Sequence, residues 1–294
     1  MTPIVKWVGG KRQLLPKIVE LLTRNGRIRD YYEPMVGGGA VFFGLQSNQL
    51  IDRTAWIGDV NEELINVYRV VEDVTTVRQL KGILAKQSDV YKRAWESDEK
   101  ERAVEALYYS IRDMDPTTLG TVSRAARFIF INKAGFNGLY RVNKKGKCNV
   151  PWGHGRKPAL LDEEAIDGAH KALSQVSEFM GIAHQSIFNF DEKTTPEDAV
   201  YIDPPYVPVS PTADFTSYTA GGFGEVEQRK LAELFRRIAG SGTRLVLSNS
   251  DTPLVRELYA SFMLVEVQAR RAVNRDVTKR GKVGELLVCA NIKP

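Results

Sequence analysis

Cysteine and histidine are scarce in this chain of 294 residues, with two cysteines (Cys148, Cys289) and three histidines (His154, His170, His184). They are scattered and match no metal-ligand spacing, so neither a disulfide framework nor a zinc site is expected. Long apolar runs are missing too. No segment approaches the roughly 18 apolar residues of a membrane span. The opening MTPIVKWVGGKRQLL lacks the apolar centre of a signal peptide. No repeat or low-complexity linker is visible. These absences point to a soluble, cytoplasmic protein with no membrane partner and no metal. Charge of one sign is not in large excess, with 41 Lys and Arg against 36 Asp and Glu. Its placement says more than its sum, because basic residues crowd two stretches, RVNKKGK (141–147) and RRAVNRDVTKRGK (270–282). Each is a solvated loop or a contact for a polyanion.

What is present is an alternation of strand-like and helical patterns. Strand-like runs fall at Asp30–Met35, Thr54–Val60, Ser177–Ile187, Asp198–Asp203, Thr243–Asp251, Phe262–Arg271 and Gly284–Ile292. Helical patterns separate several of them, such as Arg12–Arg24 and Glu225–Ala239. In the latter, residues 231, 234, 235 and 238 form an apolar stripe of helical period. The expected fold is therefore α/β, a mostly parallel, Rossmann-like sheet with its last two strands as an antiparallel edge hairpin. Residues 62–161 read differently, as helices closing in the Gly-, Asn- and Lys-rich segment GFNGLYRVNKKGKCNVPWGHGRKP. We expect an inserted, mainly helical domain over 62–161, ending in a β-hairpin, within a domain of residues 1–61 and 162–294.

Three motifs carry chemistry. In EPMVGGGAVFFGL, Gly37, Gly38 and Gly39 strip every Cβ from a strand-to-helix turn, which admits a ligand to the backbone and a helix N-terminus, or simply makes a tight turn. Phe42 stands where the dinucleotide fingerprint puts its third glycine, which disfavours a dehydrogenase. Asp59 ends the next strand, where such sheets place an acid for a ribose; it also suits the N-cap of the helix in NEELINVY. The segment VKWVGGKRQ sets Lys11 and Trp7 beside Gly9 and Gly10, either as a second ligand loop or with Trp7 in the core. In DAVYIDPPY an apolar strand stops at Asp203, Pro204, Pro205 and Tyr206. Proline offers no N–H and fixes φ, so the chain must leave the sheet as a stiff loop. A plain strand-ending turn is one reading. The other is a seat for an exocyclic amine: Asp203 and the Pro204 carbonyl accept its hydrogen bonds and aim the lone pair, and Tyr206 stacks on the base, a contact worth roughly 1–3 kcal/mol.

The order KWVGGK, EPMVGGGAVFF, IGDVNEELI, NKAGFNGLYRVNKKGKCNVPWG, YIDPPYVPVSPTADFTSY, LVLSNSD and KVGELL resembles the Dam-type DNA adenine-N6 methyltransferases. The resemblance is thin within residues 72–123. It implies a methyltransferase sheet, S-adenosylmethionine as cofactor and double-stranded DNA as partner. It further implies N6 methylation of adenine in GATC with the target base flipped out. Trp7, Lys11, Glu33, Gly37, Gly39, Asp59 and Asp203 match cofactor positions, and Asp203, Pro204, Pro205 and Tyr206 match the catalytic loop. Lys6, Phe136, Asn137, Leu139, Arg141 and Pro151 match DNA-reading positions. Phe136 replaces a common tyrosine, keeping the stacking surface and losing a hydroxyl. Related sheets with a Pro-Pro-aromatic loop methylate cytosine N4, RNA bases or protein amides, and an inactive DNA-binding relative is a further alternative.

Overall fold

The computed structural model describes residues 3–7, 9–143, 145–154, 157–174, 181–184, 186–190, 193–207, 223–270 and 282–293. Along the chain run α1 (Leu15–Thr23), β1 (Ile28–Glu33), α2 (Ala40–Ser47), β2 (Ile51–Asp59), α3 (Glu62–Glu72), α4 (Val74–Trp95), α5 (Lys100–Arg112), α6 (Thr121–Ala134) and α7 (Glu163–Ser174). There follow β3 (Gly181–His184), β4 (Ala199–Ile202), α8 (Glu225–Ala239), β5 (Arg244–Ser250), α9 (Pro253–Leu258), β6 (Met263–Arg270) and β7 (Lys282–Ala290). Two compact units result. One comprises Met1–Gly10, Gly37–Gly39 and Asn61–Glu178; the other comprises Lys11–Val36, Ala40–Val60 and Phe179–Pro294.

The second unit holds the sheet, seven strands among the described residues in the order β3-β2-β1-β4-β5-β7-β6. The strands from β3 to β5 pair in parallel. β7 runs antiparallel to both β5 and β6, giving the expected edge hairpin. β1 stops at Glu33 rather than Met35 because Pro34 cannot continue the ladder. β4 and β5 are buried at every position, as parallel strands covered on both faces require. Leu231, Phe235 and Ile238 of α8 pack with Val200, Ile202, Leu245 and Leu247 in the core, so the apolar stripe faces the sheet. At the amino ends of the strands the buried Arg244 donates to the carbonyls of Leu22, Gly26, Arg27, Glu197 and Asp198. Five acceptors satisfy one guanidinium there and tie the α1–β1 connection to the start of β4. Strand order reverses between β1 and β4, and it is at the opposite, carboxyl ends of such a pair that open sheets form a ligand crevice.

The first unit is built from α3 to α7. Tyr91, Val104, Tyr108, Ile111, Phe130 and Trp152 form a core between α4, α5, α6 and the segment after them. The sequence reads as one helical pattern through residues 63–87, but the chain breaks at Asp73. That residue has ψ 130°, and its carboxylate accepts from the N–H groups of Thr75 and Thr76 at 2.9 and 2.8 Å, starting α4 afresh. By compactness this unit extends beyond residue 161 to take in α7. Lys81 of α4 pairs with Asp167, and His170 Nδ1 donates to the Val71 carbonyl at 2.8 Å. The N-cap of α3 is Asn61, which accepts from Leu64 N–H at 3.1 Å, so the capping position is not that of Asp59.

Candidate active site and nucleic-acid interface

Three acids stand at the carboxyl ends of parallel strands in the sheet unit. Glu33 closes β1, Asp59 closes β2, and Asp203 follows directly on β4. The Lys11 Nζ lies 2.9 Å from Asp203 Oδ1 and 4.7 Å from the centre of the Tyr206 ring, with the lysine itself buried. The two prolines force the chain out of the sheet, and three side chains from elsewhere then hold it. Gln228 Nε2 donates to the Pro205 carbonyl at 2.9 Å. Val207 N–H donates to Asn249 Oδ1 at 3.2 Å, and the Tyr206 hydroxyl donates to Glu285 Oε2 at 2.9 Å.

Electrostatically this end of the sheet is crowded with acids. Burial pushes the Glu33 carboxyl up to about 8, with Asp203 and Asp59 adding to the rise, although the Tyr31 hydroxyl and Phe42 N–H, which both donate to Glu33, oppose it. Burial also raises Asp203; Lys11 opposes that rise, while Glu285 and Asp59 reinforce it. The Tyr206 phenol is held well above its ordinary range, first by burial and then by Asp203 and Glu285, so it remains a hydrogen-bond donor. Such a set of acids suits a ligand with organic positive charge and hydroxyls. S-adenosylmethionine, with its sulfonium, ammonium and ribose diol, has that chemistry. Among the described residues no group of three His, Cys, Asp or Glu side chains is arranged to hold a metal ion.

The remaining expected residues lie in the helical unit. Gly37 and Gly39 have φ of 48° and 71°, conformations that glycine adopts without a Cβ clash. A Cβ on Gly37 would come within 2.7 Å of the Trp7 indole, so this glycine makes room for Trp7 as well as for any ligand. The Tyr68 hydroxyl donates to the Gly37 carbonyl at 2.7 Å. Lys6, Phe136, Asn137, Arg141 and Pro151 are exposed, and Leu139 is half-buried against Ile131, Cys148 and Val150. Phe136–Gly138 is a single tight turn after α6, with Asn137 at φ 55°. The expected hairpin is reduced to isolated antiparallel bridges, Gly135 to Trp152 and Val142 to Cys148, with Phe136 N–H donating to the Pro151 carbonyl at 2.9 Å. Arg141 Nε donates to Asn149 Oδ1 at 2.8 Å, which steadies an exposed guanidinium. The 141–147 stretch is exposed at every described position. Most of the 270–282 basic stretch and residues 208–222 lie outside the described residues.

Sequence reasoning missed the side chains that hold these pieces. Gln228, Asn249 and Glu285 contact the Asp203–Val207 loop, and the fully buried Asn132 bonds both Lys6 and Gly138. Of the four, only Asn132 interrupts an apolar run, Phe128–Ile131, and so offered a local signal.

The sequence profile of the D12 class of N6 adenine-specific DNA methyltransferases matches residues 7–273. A type II methyltransferase of Lactococcus lactis subsp. cremoris is 37% identical over 293 residues, covering 98% of this chain and 95% of that protein. A type II methyltransferase of Methanocaldococcus jannaschii is 38% identical over 294 residues, covering 97% and 98%. A DNA adenine methylase of Vibrio cholerae is 33% identical over 285 residues, covering 96% and 94%. The match extends over both compact units, and the chain belongs to the D12 class of N6 adenine-specific DNA methyltransferases, which take their methyl group from S-adenosylmethionine.

Proposed function

We propose that this adenine-specific DNA methyltransferase acts on the adenine of GATC in duplex DNA, after turning that base out of the helix. The observation that carries the reading is the Asp203–Tyr206 loop, held at the carboxyl end of β4 beside the strand reversal, with Lys11 on its carboxylate. An N6 amine stacked inside a duplex cannot reach a carboxylate at the end of a sheet. The base must flip, at a cost of a few kcal/mol.

Bound S-adenosylmethionine supplies the electrophilic methyl group. Lys11, Asp59 and Glu33 would hold it, and Trp7, Gly37 and Gly39 are the further candidates for contact with it. The chain's task toward the target is orientation. Asp203 and the Pro204 carbonyl accept the two N6 hydrogens, which draws the nitrogen toward tetrahedral geometry and frees its lone pair. Tyr206 stacks on the adenine. With proximity and alignment supplied by these residues, the methyl would pass directly to N6 as its bond to the sulfonium sulfur breaks, leaving the neutral thioether; no covalent enzyme intermediate is needed, and the surplus N6 proton would leave to solvent.

The helical unit would read the DNA. Phe136 and Asn137, at the exposed tip of the turn, suit the gap left by the flipped base. Arg141, steadied by Asn149, suits a two-bond contact to a guanine edge. Lys6 would reach the outer guanine, Leu139 and Pro151 would add contacts to the target, and the lysines of the 141–147 stretch would meet phosphates. Plasmid DNA treated with the purified protein and S-adenosylmethionine, then mapped base by base, tests this. N6-methyladenine confined to GATC is expected; N4-methylcytosine or a different target sequence would contradict it.

A further inference from the structure

The Asp-Pro-Pro-Tyr loop cannot hold itself in place. Its two prolines lack the N–H that a ladder would use, and it leaves the sheet directly after β4. Three side chains from three elements bind it instead: Gln228 of α8, Asn249 of β5 and Glu285 of β7, all with relative exposure of 8% or less. Gln228 and Asn249 form a connected path. Asn249 Nδ2 donates to Gln228 Oε1 at 3.0 Å, Gln228 Nε2 donates to the Pro205 carbonyl at 2.9 Å, and Val207 N–H donates to Asn249 Oδ1 at 3.2 Å. Glu285 meets the same loop separately, accepting from the Tyr206 hydroxyl at 2.9 Å. The two anchors bracket Tyr206. One fixes the peptides on either side of it, and the other fixes the far end of its ring.

We propose that Gln228, Asn249 and Glu285 are positioning residues for methyl transfer, which lock the peptide after Pro205 and the plane of the Tyr206 ring. This rests on the assignment of the loop as the seat of the target amine. Glu285 has a specific part, because a phenol held at its hydroxyl cannot swing about its side-chain bonds, so the stacking surface is set before the base arrives. A misplacement of about 1 Å at a reacting centre costs roughly 10²-fold in rate, so loss of either anchor should appear in kcat.

The test is steady-state kinetics on cognate duplex DNA for Glu285→Ala, Glu285→Gln, Gln228→Ala, Tyr206→Phe and the double variant Tyr206→Phe/Glu285→Ala, each with its Tm. Glu285→Ala and Gln228→Ala should lower kcat by roughly 10–100-fold, a larger effect than any change in KM for DNA. Glu285→Gln keeps an acceptor and should recover most of the rate. In the Tyr206→Phe background, Glu285→Ala should cost nothing further, since the hydroxyl it held is gone. Wild-type kcat in Glu285→Ala and Gln228→Ala, equal losses in Glu285→Gln and Glu285→Ala, additive losses in the double variant, or a rate that merely follows Tm each overturn the proposal. If Glu285→Ala does not fold, Gln228→Ala and the comparison of Glu285→Gln with Tyr206→Phe still decide it. Asp203→Ala, run alongside, separates the two levels: if it retains turnover, the loop assignment fails; if it is inactive while the anchor variants are normal, only the positioning claim fails.

Discussion

The Asn132 carboxamide and the Lys6 peptide are bonded in both directions. Lys6 N–H donates to Asn132 Oδ1 and Asn132 Nδ2 donates to the Lys6 carbonyl, each at 2.8 Å. The same Nδ2 donates to the Gly138 carbonyl at 2.8 Å, so one buried side chain joins the N-terminal segment to the turn that carries Phe136 and Asn137. Gly138 completes the arrangement, since a Cβ there would lie 2.6 Å from Lys6 Cδ.

Asn132→Ala should therefore damage target reading as well as stability. Orphaning the Gly138 carbonyl and the Lys6 peptide costs roughly 1–3 kcal/mol, measurable by urea unfolding. Methylation rates on sites altered at the outer guanine should move toward the cognate rate. In a Lys6→Ala background Asn132→Ala should have no further effect on that discrimination; a further loss would mean that Asn132 acts elsewhere.

Arg141→Ala separates base reading from attraction to DNA. If the guanidinium pairs with a guanine edge, its loss costs about 1–3 kcal/mol at that base pair and leaves the other positions discriminating. Rates on the cognate site and each single-base variant, at fixed salt, give the answer. A uniform fall with a shallower salt dependence makes Arg141 a phosphate contact.

Asp59→Ala should weaken S-adenosylmethionine binding by roughly 1.5–3 kcal/mol through loss of a charged acceptor. DNA affinity without cofactor should hardly change. Calorimetry reporting wild-type cofactor affinity would remove Asp59 from the binding set.

Glu33 gives the ligand-free protein a pH dependence of definite sign. Its folded value is about 8 against an ordinary 4.5. Between those values the unfolded chain is ionised while the folded protein keeps its proton. The folded state then binds more protons, so stability declines as pH rises through the window and is undiminished below it. Glu33→Gln has no proton to hold, and its stability should fall less between pH 5 and 8. Parallel curves for the two proteins would show that Glu33 ionises normally.

Much of the sheet was legible in the sequence, and for a physical reason. Buried parallel strands such as AVYI and the hairpin strand LLVCA must be nearly continuous apolar runs, and Pro34, Pro204 and Pro205 mark where they stop. The Asp203 loop was legible because few arrangements call for an acid and two prolines at a strand end. The break at Asp73 was hidden, because a capping acid inside an amphipathic run looks like any exposed helical residue until its ψ is known. The anchors of the loop were hidden by distance: Gln228 meets Pro205 across 23 residues of chain and Glu285 meets Tyr206 across 79. No local pattern records such pairings. The glycine turn was half legible, since its glycines mark a close approach, yet nothing local names Trp7 as the group approaching Gly37.

If Asp203 serves the target amine, its loss must show in single-turnover methyl transfer by Asp203→Ala. The protein should be saturated with S-adenosylmethionine and presented with a GATC duplex, with folding checked by its Tm. The variant should be folded and somewhat weakened in cofactor affinity, and its rate of N6 methylation at saturation should fall by a factor on the order of 10²–10³ or more. A saturated variant that transfers methyl at close to the wild-type rate would contradict that role for Asp203.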